Sequence, residues 1–420
     1  MRVLARVLLA VLIAMAAGTA LAADPIRIGV LLPFTGPNAK GGLEEWVAME
    51  IARDMINEQG GVNGRPIEYV RGDAVTPSAA VSETDRLITK EGVKITTGSY
   101  ASPFAIAVSQ TAERNGVLHW ETTGAADIIT KRGFKYTFQL GAAATRYGQA
   151  ALDFTRDVLS AKLGKPLKDL RIALLWENRA FGSSVGGGVR DYAKKLGVTL
   201  AYDEGYDQTL TDMTPLVQKL KDVNPDVLIA VSFLNDAILF QRKAKELDFN
   251  VPAFIGVSAG YSAPDLKDAL GDQVNGIFVS DFPARVNPDA LLPDVRKADS
   301  EFFKRYQEKQ NRVPAGHAVA TFSALWVLYM QVLPKAPSLE PDAIRQVALK
   351  LDLPEGSMVN GSGVKFTDHD WPPDPKDAGQ NLLSTIGVWQ WQGQAARQVY
   401  PVKLATGSPL MIPMPAWSAR

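Results

Sequence analysis

The chain has 420 residues, with 45 basic and 45 acidic side chains and no cysteine. That length is enough for two separate cores, since domains typically run about 100–200 residues. Balanced charge leaves no electrostatic footprint for nucleic acid or an anionic membrane, and the missing thiols exclude disulfides, thiolate metal sites and a cysteine nucleophile.

In chain order, Arg2 and Arg6 come first, then an apolar run over residues 7–17, then Gly18-Thr19-Ala20-Leu21-Ala22 with small residues where a signal peptidase reads. This is the pattern of a secretory signal peptide over 1–22, cut after Ala22. An uncleaved anchor is the alternative; the short apolar core and the Ala-Leu-Ala end argue against it. No cysteine follows to carry a lipid, so the expectation is a mature chain free in the periplasm, acting as a monomer.

From Ile26 to about Phe282 short apolar runs alternate with helical spacing. Strands are predicted at 26–32, 67–71, 94–97, 117–120, 171–176, 199–203, 226–232, 253–257 and 276–280. Most are continuously apolar, as strands buried on both faces are. Between them, Leu43, Val47, Ile51 and Met55 mark one helix face before the Gly60-Gly61 stop. Val81, Leu87 and Ile88 mark a second helix, Leu216, Leu220 and Val223 a third, and Ile238, Phe240 and Ala244 a fourth. Alternation of this kind builds doubly wound parallel sheets.

Nine strands exceed one small core, and the alternation breaks at the extended stretch 136–140 with the Gly141-Ala142-Ala143-Ala144 that follows. Helices dominate from about 294 to 351. Within them the apolar stretch 315–333, interrupted by His317, Thr321 and Gln331 and stopped by Pro334, reads as a buried core helix. His317 reads there as a satisfied core residue. A Pro-rich loop (Trp371-Pro372-Pro373-Asp374-Pro375) and a late strand over 384–391 close the pattern. The predicted fold class is α/β, two doubly wound parallel-sheet lobes joined by a multi-crossing hinge. Lobe one takes 23–143 plus about 281–352, lobe two 144–280 plus about 353–400, and 401–420 is a tail. Ligands of open α/β sheets sit beyond the carboxyl ends of the strands, so the residues after each strand are the ones to inspect.

At those residues the sequence resembles the leucine/isoleucine/valine-binding family of periplasmic proteins, the type I periplasmic binding fold. The resemblance starts at Ile26-Arg27-Ile28-Gly29-Val30-Leu31-Leu32-Pro33-Phe34-Thr35-Gly36-Pro37. It continues at Ile56-Asn57-Glu58-Gln59-Gly60-Gly61-Val62-Asn63-Gly64, at Gly98-Ser99-Tyr100-Ala101-Ser102, at Glu121-Thr122-Thr123-Gly124-Ala125 and at Phe181-Gly182. The family's fold and role would follow: the substrate-binding protein of an ABC importer, which captures an amino acid or similar small carboxylate between its lobes and hands it to an inner-membrane permease. The resemblance implies a carboxylate held at Ser102, Thr123 and Ala125, with Tyr100, Ala101, Glu121 and Thr122 at the same strand ends. It also implies aromatic walls from Phe181 and Phe233, and it needs no cofactor or metal. Ser102 opens a helix, where free N–H groups and a hydroxyl suit an anion, although a plain helix cap looks the same. Phe181 and Phe233 could equally be core residues, and Tyr261 is a further candidate.

The sequence also departs from the family. The acid that pairs with a ligand ammonium falls on Ser258, a tyrosine after the first strand is replaced by Gly41, and the hydroxyl of the second strand end is lost at Ala125. A buried ammonium without a carboxylate costs several kcal/mol (about 3–5 where one partner of a pair is removed). Either another acid replaces the lost one, with Glu121, Glu177 and Asp236 as candidates, or the ligand carries no ammonium.

Catalytic readings fail on missing parts. Gly182-Ser183-Ser184-Val185-Gly186 matches a nucleophile elbow, which makes an exported hydrolase using Ser184 the competing hypothesis. That elbow needs its serine on a strained turn directly after a strand, and here the segment reads as the opening of a helix. His119-Trp120-Glu121 lacks the cysteine half of a zinc deaminase. Asp368-His369-Asp370 reads as a solvated turn, and no phosphate loop occurs.

Overall fold

The computed structural model describes residues 24–369, 376–393, 395–407 and 410–420, with Ala259 by its backbone alone. The expected signal peptide and the Pro-rich loop therefore lie outside the described residues. β1 (Ile26–Leu32), β2 (Ile67–Asp73), β3 (Ile95–Gly98), β4 (Leu118–Glu121) and β5 (Thr137–Gln139) form one sheet, ordered β2-β1-β3-β4-β5 and parallel throughout. β6 (Ile172–Glu177), β7 (Tyr202–Tyr206), β8 (Val227–Val231), β9 (Ala253–Val257), β10 (Phe278–Asp281), β11 (Gly387–Gln392) and β12 (Ala395–Tyr400) form the second, ordered β12-β11-β10-β9-β8-β6-β7. Its strands from β7 to β10 run parallel, and β11 and β12 add antiparallel.

The helices that matter below are α1 (Ala39–Glu58), α2 (Pro77–Thr89), α3 (Ser102–Arg114), α4 (Ala144–Phe154), α5 (Ala180–Lys195), α6 (Thr214–Val223), α7 (Leu234–Glu246), α8 (Pro264–Leu270), α9 (Pro293–Gln310), α10 (Gly316–Val327) and α11 (Pro341–Ala348). They cover both faces of each sheet, which explains the continuously apolar strands. In β1, Ile28, Val30 and Leu32 face a core shared with α1, α9 and α10, whereas Leu31 faces Leu87 and Val108 of α2 and α3. In β6, Ile172 and Leu174 enter one core and Ala173 and Leu175 the other. Successive side chains point to opposite faces, so both faces of these two strands are mostly apolar.

The chain passes between the sheets three times: after β5, after β10 and before β11. These crossings are bonded to one another. Gln139 bridges to Gln380, whose Nε2 donates to the Gly141 carbonyl at 2.9 Å, and Asn381 Nδ2 donates to the Leu140 carbonyl at 3.1 Å. Val364 and Phe366, in a stretch assigned from sequence to the second lobe, pack into the core of the first sheet.

Two expectations shift. The strand placed at 199–203 is Tyr202–Tyr206, because Val198 and Leu200 spend their apolar surface on the core around α4 and α5 before pairing with β6 begins. The buried face of α1 is Gly42, Glu45, Ala48, Met49, Ala52, Met55 and Ile56 together with Ile51, while Leu43 is 45% exposed. The segment Gly316–Lys335 is a core helix as expected, with 83% of its apolar window buried.

Candidate functional site

The carboxyl ends of β1, β3 and β4 face those of β6, β8 and β9 across a cleft of about 920 Å³. Gly36–Gly41, Val75–Pro77, Tyr100 and Phe104 line it from the first sheet, and Arg179, Gln208, Phe233–Asp236 and Asp265 from the second. Lys40 at the start of α1 and Asp265 at the start of α8 make an ion pair across it. Inward the cleft narrows to a recess of about 80 Å³ bounded by Ala101, Phe104, Glu177, Arg179, Phe181 and Phe233. It ends in a chamber of about 20 Å³, room for roughly one water.

Eight of the ten residues singled out in the sequence line that chamber: Tyr100, Ala101, Ser102, Thr123, Ala125, Phe181, Phe233 and Ser258. Tyr147 and His317 complete it, and sequence reasoning does not find either as a site residue. They sit on α4, just beyond the first crossing, and on α10, which follows α9 after the second, where no strand-end rule points.

Each wall has a local cause. Ser102 begins α3, and its Oγ accepts the N–H groups of Ala125 (3.3 Å) and Ala126 (3.0 Å), tying the β3 and β4 loops together. Tyr100 (φ 69°) and Ser258 (φ 67°), one from each half, hold the left-handed conformation that L-residues avoid, and both face the chamber. Gly41, where the resemblance expects a tyrosine, is open for a reason: a Cβ there would lie 2.2 Å from the Tyr100 ring. One aromatic has taken the space of the other. Tyr147 stands edge-on to Phe181 (5.5 Å) and Phe282 (5.6 Å), and Phe181 to Phe233 (6.4 Å).

The other two predicted residues do not reach the chamber. Glu121 is fully buried, and its carboxylate accepts from Ser99 N and Oγ (both 2.9 Å), Thr123 N (3.1 Å) and Gly124 N (2.7 Å), with His119 Nε2 at 2.9 Å. With its oxygens committed, Glu121 braces the two loops that form the wall. Thr122 is equally buried and bonds to the Gly98 carbonyl (3.1 Å) and Glu45 (3.4 Å). Tyr261 is buried against Ser232.

The remaining candidate acids sit farther out. Glu177 accepts the N–H of Arg179 (2.8 Å) and Gly182 (2.6 Å) beside the recess, and burial pushes its carboxyl up to about 7. Asp236 faces the outer cleft, accepts the Tyr206 hydroxyl, and is raised by burial to about 6.

Behind His317 lie two buried carboxylates. Glu45 Oε1 is 3.6 Å from its Nδ1 and Asp281 Oδ2 3.7 Å from its Nε2. Burial opposes charge on this imidazole, but the facing acids, Asp281 first, outweigh it and raise its pKa. Burial raises the Asp281 carboxyl as well. The expectation of a satisfied core histidine does not hold: neither ring nitrogen has a hydrogen-bond partner, and the ring faces the chamber.

Ser184 lies within the helical run of α5, not on a sharp turn at the end of β6, and among the described residues no hydrogen bond joins it to a histidine. His369 is bonded to the Gly133 carbonyl (3.0 Å), and Asp370 lies outside the described residues.

A family model for periplasmic binding proteins matches residues 25–371. Leu/Ile/Val-binding protein homolog 8 of Brucella suis is 33% identical over 399 residues, covering 94% of this chain and 95% of that protein. Homolog 7 of the same organism is 32% identical over 390 residues, covering 92% and 94%. Two solved structures share the fold. The branched-chain amino acid transporter substrate-binding protein LivJ of Streptococcus pneumoniae, in complex with isoleucine, has a TM-score of 0.73 at 20% identity over 90% of this chain and 100% of that one. A solute-binding protein of an ABC transporter from Rhodopseudomonas palustris, in complex with benzoate, has a TM-score of 0.71 at 19% identity over 92% and 98%.

Proposed function

The chain belongs to the periplasmic binding protein family, and from that premise we propose that it is the extracytoplasmic solute-binding protein of an ABC importer, taking an amino acid or similar small carboxylate into the chamber between its two halves. The observation that carries the reading is the chamber's two-sided wall. Tyr100, Ala101, Ser102, Thr123 and Ala125 come from loops of the first sheet, and Phe181, Phe233 and Ser258 from loops of the second. A site shared in this way is complete only when the halves meet, so binding energy drives closure.

In this reading the lobes are those expected from sequence except that the stretch 353–366 goes with the first, the hinge is the set of crossings near 136–144 and 281–283, and the signal peptide is removed on export. The mature monomer presents its closed form to a membrane permease and catalyses no reaction. Ser102 and the amino-terminal turn of α3 take the carboxylate, and the Phe181 and Phe233 rings cover the solute from the other side. Rings suit that task because they bring large contact area with few torsions to freeze.

Mass spectrometry of small molecules released from gently purified protein tests this. The expected result is one small carboxylate in about equimolar amount. That compound, added back at a hundred times its Kd, should stabilise the chain by about 2.7 kcal/mol and be recovered unchanged. Recovery of a chemically altered compound, with turnover abolished by Ser184→Ala, would instead favour the hydrolase.

A further inference from the structure

We propose that His317 is a positioning residue for closure: as an imidazolium it ties Glu45 of the first half to Asp281 of the second, so the closed arrangement holds a proton and parts more readily once that proton leaves. This rests on the reading of a clamp that opens and closes on a solute, and it names what sets the balance between the two forms.

His317 stands where the halves meet. It is the second residue of α10, and the first, Gly316, lies so close to the second crossing that a Cβ on it would come within 2.4 Å of the Phe282 carbonyl oxygen. Its Nδ1 faces Glu45 Oε1 at 3.6 Å, on α1, the helix that shares the first core with α10. Its Nε2 faces Asp281 Oδ2 at 3.7 Å, on the last residue of β10 in the second sheet. The ring is bracketed in the same way. Tyr100 of the first half has its centroid 5.6 Å away, and Phe282, from a core of the second, 5.4 Å away.

With both acids ionised, only one state of the ring fits. A neutral imidazole carries a hydrogen on one nitrogen and a lone pair on the other, so either tautomer turns a lone pair on a carboxylate. The imidazolium donates on both sides. His317 is 8% exposed and both acids are fully buried, so little water screens the attraction. Neither ring nitrogen nor Asp281 Oδ2 makes a hydrogen bond to any other group of the fold. Against the cation stand burial and the amino-terminal dipole of α10, equivalent to about half a positive charge, which two full negative charges outweigh. Glu44, also on α1, adds to the acidic side, and Arg312 at 3.9 Å offsets it. Tyr100 and Tyr147 are the other titratable groups at this end, and burial raises both phenols, which keeps them neutral.

Opening draws Asp281 away from the ring and admits water, so the imidazole returns toward its ordinary pKa of about 6.5. A proton held more tightly in the closed form than in the open one favours closure. That contribution is complete below the open-form pKa and is lost as pH rises through the raised closed-form value.

The proton itself is the probe, and no solute is added. The chain has 3 histidines, so heteronuclear NMR of the imidazole rings in the full mature protein is readable, with His317→Gln assigning its signal. His317 should be doubly protonated at about pH 7, where a free imidazole is only about a quarter charged. Asp281→Asn should lower its titration midpoint by at least about one pH unit. Glu45→Gln should lower it too, so either variant suffices if the other fails to fold. Small-angle scattering from about pH 5.5 to about pH 8.5 reads the shape. The wild type should expand as the ring loses its proton, and more than His317→Gln does; Glu177 and Asp236 titrate in the same window and supply the slope that remains. A ring already neutral at about pH 6, a midpoint unmoved by both substitutions, or equal expansion of wild type and His317→Gln overturns the proposal. None of these outcomes touches the solute-binding reading, which the mass spectrometry above decides.

Discussion

Single residues in the cleft can be tested one at a time. On the proposed reading Ser102 donates to the solute from the first wall, and a hydrogen bond to a charged group contributes about 1.5–3 kcal/mol. Ser102→Ala should therefore weaken solute binding at least about tenfold in a calorimetric titration, and unchanged affinity would remove Ser102 from the site. Glu177 makes a prediction about pH. Burial raises its folded pKa from 4.5 to about 7, so between those values the native chain holds a proton that the unfolded chain has released. Stability of the solute-free protein should accordingly be highest at the acid end of that window and fall as pH rises through it, by on the order of 3 kcal/mol from this group. Asp236, raised to about 6, acts in the same direction. Urea midpoints measured across the window should slope less steeply in Glu177→Gln than in the wild type, and parallel slopes would contradict the assignment.

At the scale of elements, glycines decide how closely helices approach. α4 and α5 touch through Gly148 and Gly188. A Cβ on Gly148 would lie 2.5 Å from Val189 Cγ2, and one on Gly188 2.6 Å from Thr145 Cα. A Cβ on Gly187, one position along the same helix, would meet nothing within 4 Å. Gly188→Ala should therefore cost about 1–3 kcal/mol through overpacking, while Gly187→Ala should be neutral or stabilising by up to about 1 kcal/mol through helix propensity. Thermal unfolding of the two variants checks this, and similar melting temperatures would show that the helices do not depend on that approach. The same contacts explain the near-match to a nucleophile elbow: Gly182 and Gly186 sit against Glu177 and Trp176 of β6, where larger residues would push α5 off the sheet.

Elements also show what is legible in the sequence. Strands buried on both faces announce themselves as apolar runs, and strand ends then point to the chamber loops, which is why eight of its residues follow from sequence. The inner face of α1 does not follow, because much of it is small (Gly42, Ala48, Ala52) and it carries the buried acid Glu45, while the apolar Leu43 points outward. Glu45, Asp281 and His317 come from α1, β10 and α10, far apart in the chain. Only the folded arrangement makes them neighbours, and each alone reads as an ordinary residue of its element. Glu121 departs from expectation in the opposite sense. It does stand at the end of β4, but the five groups that consume its carboxylate come from its own and the neighbouring strand and loop, and periodicity carries no record of them.

For the whole molecule, the size of the chamber sets the mechanism. A space of about 20 Å³ is smaller than an amino acid, so on the proposed reading the halves part about the bonded crossings before solute enters and close again around it. The Lys40–Asp265 pair spans the mouth, but Lys40 is 74% exposed, and exposed pairs contribute about 0–1 kcal/mol. On the proposed reading closure is therefore governed by the solute and the aromatic wall rather than by this bridge. A crystal structure of the protein carrying its co-purified solute tests the central claim most directly. The account predicts density between Ser102 and Thr123 on one side and Phe181 and Phe233 on the other, in contact with both halves. Solute bound to the outer face of either half, with the chamber unaltered, would contradict it.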